Sequence, residues 1–125
     1  MILDTNGLSA LAEGEPAIEP LLRQAAQIAI PVIVLGEFRY GIAHSRQRRH
    51  YEEWLAAYLS GFRILDVDEA TTLFYRDVRT KLKRAGTPIP ANDVWIAALC
   101  RQHRLPLLSR DRHFDAVPGV RRLEW

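Results

Sequence analysis

The sequence predicts a single α/β domain built on a central parallel sheet of four to five strands. Three observations predict it. Short apolar runs alternate with longer segments whose apolar residues recur at helical spacing, which is the pattern of βαβ units. The 125 residues are near the commonest size for one domain, and no linker-like stretch divides residues 1–125. Acidic residues fall where strands end and helices begin, the edge at which open α/β sheets bind ligands.

Ile2-Leu3-Asp4 reads as a short buried strand, and Asp4-Thr5-Asn6-Gly7 as turn chemistry. Residues 16–27 read as a helix with Leu21, Leu22, Ala25 and Ala26 on one side. Ile28-Ala29-Ile30 is a second strand. Pro31 suits the first turn of the next helix, where its missing N–H costs nothing, and that helix runs from about Val32 to Ala43. Tyr51, Trp54, Leu55, Tyr58 and Leu59 follow the i, i+3, i+4, i+7, i+8 pattern of an amphipathic helix. Residues 62–67 form a third strand. Ala70, Phe74, Val78 and Leu82 make one stripe of the following helix, and residues 86–90 a loop. Asn92 is a good N-cap for a helix from Asp93 to about Gln102. Residues 106–109 give a fourth strand, and residues 120–124 a short fifth at an edge.

Hydrophobic content of 48% and charged content of 26% are those of an ordinary globular protein. A net charge of +2 permits a polyanionic partner without demanding one. Cys100 is the only cysteine, which excludes an internal disulfide and a Cys-rich zinc site and fits a reducing, cytoplasmic compartment. The longest apolar run, residues 28–36, is interrupted by Pro31 and too short to span a bilayer. The first residues lack the basic and apolar segments of a signal peptide.

Four acids carry the functional argument. Asp4 ends strand one, Asp111 lies just past strand four, and Asp93 occupies the first turn of a helix. Glu37 sits in the second turn of the helix after strand two, within roughly 8 Å of the same edge at 1.5 Å rise per residue. Each has a plainer reading alone: a turn or cap for Asp4 and Asp111, a helix-dipole acid for Asp93, a solvated glutamate for Glu37. Together they converge. Glu37 and Asp93 project from apolar stretches, with no Lys or Arg at i±3 or i±4. Two carboxylates about 4 Å apart repel by about 4 kcal/mol at an effective dielectric near 20, so such a cluster calls for a hard divalent cation. Asp115, four residues beyond Asp111, is a fifth candidate in an outer position, or else a surface loop acid.

Leu3-Asp4-Thr5-Asn6, Gly36-Glu37-Phe38 with Gly41, residues 92–98 and Ser109-Arg110-Asp111-Arg112-His113-Phe114 resemble the signature blocks of PIN-domain ribonucleases, and most of all the VapC toxins of bacterial toxin–antitoxin pairs. The resemblance covers essentially the whole chain, in order and at similar spacing. It implies a three-layer α/β/α PIN-like domain and a Mg²⁺- or Mn²⁺-dependent endoribonuclease. It also implies an RNA substrate, a cognate VapB-like antitoxin and a homodimer. Asp4, Glu37, Asp93 and Asp111 fall on the family's acidic positions, Ser109 on its strand-end Ser/Thr, and Thr5 and Asn6 on the small polar residues after the first acid. Gly7 departs from the family's usual bulky aliphatic residue.

On that reading Asp4 and Asp93 are the expected inner-sphere ligands. Glu37 and Asp111 complete the shell or orient the attacking water, while Thr5, Asn6 and Ser109 fix carboxylate rotamers. His44, His50, His103 and His113 are expected at the surface, with no role as base. Arg110 and Arg112, flanking Asp111, are the expected RNA contacts, ahead of the Arg46/Arg48/Arg49 and Arg76/Arg79/Lys83 groups. The stripe of Tyr51, Trp54, Leu55 and Tyr58 is mostly core, with part of it offered to an antitoxin segment. A dehalogenase-type phosphatase needs a second Asp where Asn6 stands, and a receiver domain needs an acidic pair and a late Lys that the chain lacks. An RNA-processing nuclease or an RNA-binding domain on the same fold stays open.

Overall fold

The computed structural model describes residues 1–125. Five parallel strands, β1 (Ile2–Leu3), β2 (Ala29–Pro31), β3 (Arg63–Leu65), β4 (Leu107–Leu108) and β5 (Arg122–Leu123), form one sheet in the order β3-β2-β1-β4-β5. Helices α1 (Thr5–Ala12), α2 (Glu19–Arg23), α3 (Val32–Ala43), α4 (Arg48–Tyr58), α5 (Glu69–Ala85) and α6 (Ala91–His103) flank it, giving the expected α/β/α layers. β1, β2 and β4 are fully buried and read as continuous apolar runs, as parallel strands covered on both faces do. The fifth strand is short and at an edge, as the sequence predicts.

The strand order places the first strand at the centre. The chain winds outward to β2 and β3 on one side, then returns to β4 and β5 on the other. The crevice between the carboxyl ends of β1 and β4 is therefore the topological switch point. Asp4 leaves β1 there, and Ser109 leaves β4.

Local chemistry explains the elements. α3 spans the residues expected of it, entered through Pro31. α5 opens on a reciprocal capping box between Asp68 and Thr71 and closes on Gly86 at φ 72°, a left-handed turn that glycine adopts freely. Val78 and Leu82 from its apolar stripe are buried.

Three expectations need correction. Residues 4–7 are not a turn: Asp4 accepts a hydrogen bond from the Thr5 N–H at 2.7 Å and caps α1. The same small polar residues serve turns and helix starts, and the buried Leu8, Ala10 and Ala12 that follow favour the helix. Residues 16–27 are not one helix. Pro20 lacks an N–H and crowds the preceding turn, so a 3₁₀ turn (Pro16–Ile18) gives way to the five-residue α2. Asn92 lies inside the first turn of α6, whose N-cap is Pro90 with no side-chain cap.

Gly7 has a local purpose. A β-carbon there would sit 2.9 Å from the Leu108 carbonyl oxygen, so its absence lets α1 settle onto β4. That close approach sets how near the start of α1 comes to the Ser109 end of the sheet.

Candidate metal centre

Asp4 is 5% exposed and is the hub of the site. Its Oδ2 accepts the Ser109 hydroxyl at 2.8 Å and the Asn6 amide at 3.3 Å, while its Oδ1 accepts the Thr5 N–H. The buried Ser109 hydroxyl in turn accepts the Asp111 N–H at 2.9 Å. One hydroxyl thus ties the ends of β1 and β4 and links Asp4 to Asp111. Asn6 also takes the Arg110 N–H on its Oδ1 at 3.1 Å. Thr5 donates its hydroxyl to Glu37 at 3.2 Å, bringing the acid of α3 to the same corner.

All four acids are electrostatically coupled. Burial raises the Asp4 carboxyl above its usual range, and the charge of Asp111 adds to the rise. Burial likewise raises Glu37, helped by Asp4. Asp93 is pushed up to about 6, first by burial and then by the charges of Asp4 and Asp111. None of the four pairs with a lysine or arginine; every such ion pair in the molecule lies elsewhere.

The tightest group differs from the expected one. Asp93, Asp111 and His113 each bring a ligand atom within 4.8 Å of the others. Asp4 and Glu37 lie outside that trio, Asp4 because its oxygens are turned into the Thr5, Asn6 and Ser109 hydrogen bonds. His113 is at the surface as expected, but it belongs to the site. Its Nδ1 lies 3.1 Å from Asp111 and 3.5 Å from Asp93. Its position two residues after Asp111 is the only signal in the sequence. Asp111 accepts the His113 N–H at 2.9 Å, capping a 3₁₀ turn (Arg112–Ala116) that folds the ring back onto the acids.

The donor set fits a divalent cation. It is rich in carboxylate oxygens, includes one imidazole, and has no lysine or arginine to neutralise it.

Other expected residues fall differently. Asp115 is not an outer member of the site: it is exposed and held by Arg122 through two contacts of 2.8 and 3.0 Å. Arg110 and Arg112 are both exposed beside the site. The Arg110 guanidinium lies 4.5 Å from the centre of the Trp125 ring, a cation–π contact. Leu55 is 1% exposed and belongs to the core, unavailable to any partner. Tyr51 and Trp54 are half-buried against Phe38, and Tyr58 is exposed. Tyr51 also lines a cleft of about 260 Å³ with Thr5, Glu37, Phe38 and Ile42. No helix is long and apolar enough to cross a membrane.

An open parallel sheet with a carboxylate cluster at its switch point defines an α/β protein whose site could hold a divalent metal. Residues 1–120 match the PIN domain, and the chain belongs to that family, among the VapC ribonucleases. Ribonuclease VapC2 of Rickettsia felis is 30% identical over 106 residues, covering 84% of this chain and 79% of that protein. The tRNA(fMet)-specific endonuclease VapC of Salmonella typhimurium is 26% identical over 127 residues, covering 99% and 96%. The crystal structure of VapBC2 from Rickettsia felis bound to a DNA fragment from its promoter superposes with a TM-score of 0.89 at 27% identity, covering 99% of this chain and 97% of that one. DNA-bound VapBC from Salmonella typhimurium gives 0.86 at 26%, covering 99% and 96%.

Proposed function

We propose that the protein is a metal-dependent endoribonuclease and the toxin of a type II toxin–antitoxin pair. The observation that carries this reading is the convergence of Asp4, Glu37, Asp93 and Asp111 at the switch point with no lysine or arginine to neutralise them. Asp93 and Asp111 would hold the divalent ion, Mg²⁺ or Mn²⁺, with Asp4 and Glu37 around them. When bound, such an ion acidifies water and stabilises the charge that develops on a phosphodiester in flight. The chain's own groups supply position. Ser109 and Asn6 lock the Asp4 rotamer, and Thr5 fixes Glu37. Glu37 borders the open cleft, where it orients the attacking water. Arg110 and Arg112 hold the RNA phosphates flanking the scissile bond, an interaction that weakens as salt rises.

The family relationship to VapC supports RNA as the substrate. Its structural likeness to VapBC complexes supports a VapB-like antitoxin as partner. The cleft beside Tyr51 and Phe38 is lined by Glu37 and Thr5, so a segment seated there would lie against that acid as well.

The test is cleavage of a total cellular RNA pool by purified, antitoxin-free protein with Mg²⁺ or Mn²⁺, with EDTA, and with Asp4→Asn. Discrete cuts that vanish with EDTA and in the variant are expected. Metal-independent degradation, or full activity in Asp4→Asn, would refute the assignment.

A further inference from the structure

We propose that His113 is a nitrogen ligand of the divalent ion and that it biases the centre toward first-row transition ions such as Mn²⁺ over Mg²⁺. The inference rests on the metal-centre reading above and names a ligand that the acidic pattern does not contain.

Geometry puts the imidazole inside the group and two of the acids outside it. Asp93, Asp111 and His113 each offer a donor atom within 4.8 Å of the others. A transition ion bonded at about 2.0–2.2 Å spans up to about 4.4 Å between opposite ligands, so small rotamer changes close the trio around it. The ring does not owe its place to packing. Its side chain is 54% exposed, and its only polar contacts are the two carboxylates. The backbone aims it: Asp111 caps the 3₁₀ turn by accepting the His113 N–H, which sets acid and imidazole side by side.

Chemistry gives the consequence. Mg²⁺ demands oxygen ligands and parts reluctantly with its waters, whereas imidazole nitrogen gains affinity along the first transition row. A three-carboxylate centre treats Mg²⁺ and Mn²⁺ alike far more than two carboxylates and a histidine do. His113 therefore acts on which ion is held, through direct contact with it.

The experiment uses Mn²⁺ and Mg²⁺ alone, without RNA. Their affinities are measured by calorimetry for the wild type, His113→Ala and Asp93→Asn. Electron spin-echo spectra of the Mn²⁺-loaded proteins report whether an imidazole nitrogen is bound. The wild type is expected to show nitrogen modulation. His113→Ala should lose it and bind Mn²⁺ about tenfold more weakly, with Mg²⁺ affinity changed less than about threefold. A wild-type spectrum free of imidazole nitrogen, or equal losses for both ions in His113→Ala, would overturn the role of the histidine. Asp93→Asn separates the two readings. If it weakens both ions while His113→Ala changes neither, only the histidine proposal falls; if Asp93→Asn also leaves binding intact, the carboxylate centre falls with it.

Discussion

The molecule treats its acids in two opposite ways. Away from the site, several carboxylates are paired or hydrogen-bonded on the spot. Asp77 is held by Arg101 and Lys81, and Asp115 and Glu124 by Arg122. Asp68 accepts the Thr71 N–H and the Gln102 amide. Those hydrogen bonds and charges hold the carboxyls of Asp68, Asp77 and Asp115 below the usual range. At the switch point the direction reverses, and Asp4, Glu37 and Asp93 all rise. The chain has 17 Lys and Arg and places none against these acids. The difference teaches that the second group is incomplete by construction. An unpaired buried charge is a stability cost, and it persists where an external cation completes it.

The sharpest way to break this comparison is Asp93→Asn. Single-turnover cleavage of RNA should fall by roughly two to three orders of magnitude if Asp93 is a metal ligand as proposed, since the ion would lose a charged ligand and the transition state its electrostatic support. The same substitution should raise the melting temperature in EDTA, since an amide needs no desolvated charge. A loss of both activity and metal-free stability would mean that Asp93 is an ordinary structural acid.

Arg122→Ala tests the opposite class. Its side chain is only 10% exposed; it donates to the Ser109 carbonyl at 2.9 Å and binds Asp115 and Glu124. Denaturant unfolding should show a loss of about 1–3 kcal/mol, chiefly from the unsatisfied buried acceptor.

A smaller effect separates the classes by pH. The ordinary aspartate pKa is near 3.9, whereas Asp93 in the fold is pushed up to about 6. Between about pH 4 and 6 the folded state therefore keeps a proton that the unfolded state has released. Metal-free stability contributed by this group falls as pH rises through that window and is level above it. The difference in melting temperature between wild type and Asp93→Asn in EDTA should widen from pH 4 to 6 and then stay constant. Saturating Mn²⁺ should erase the trend, because the bound form is the ionised one.

The smallest effect belongs to the helix surface. Arg49 and Glu53 pair at 3.1 Å with side chains 93% and 69% exposed. Arg49→Ala should change stability by less than about 0.5 kcal/mol.

Most of the fold is legible in the sequence because buried parallel strands and amphipathic helices differ in period. The helix over Val32–Ala43 follows directly from Pro31 and the apolar stretch after it. The four acids are legible because strand ends and helix starts share one edge in any parallel sheet. What escapes is set by directions that no local pattern encodes. Asp4-Thr5-Asn6 carries the same chemistry for a turn and for a helix start, so α1 is hidden until Leu8 is seen to be buried. His113 joins the site because a 3₁₀ turn rotates it, and Asp115 leaves because Arg122 reaches it from the neighbouring strand. The side of α4 that faces inward carries Leu55 into the core, sets Tyr51 and Trp54 against Phe38 of α3, and leaves Tyr58 out.

The hydrogen bond from Ser109 to Asp4 joins residues 105 apart. The central strand is made first, and its partner β4 almost last. On a ribosome adding about 5–20 residues per second, Asp4 emerges long before Ser109, Asp111 and His113 exist. Until β4 and the residues after it have been made and have docked on β1, the growing chain therefore has no assembled acidic centre. The cluster is complete only when the return strand docks and the last acids meet the first.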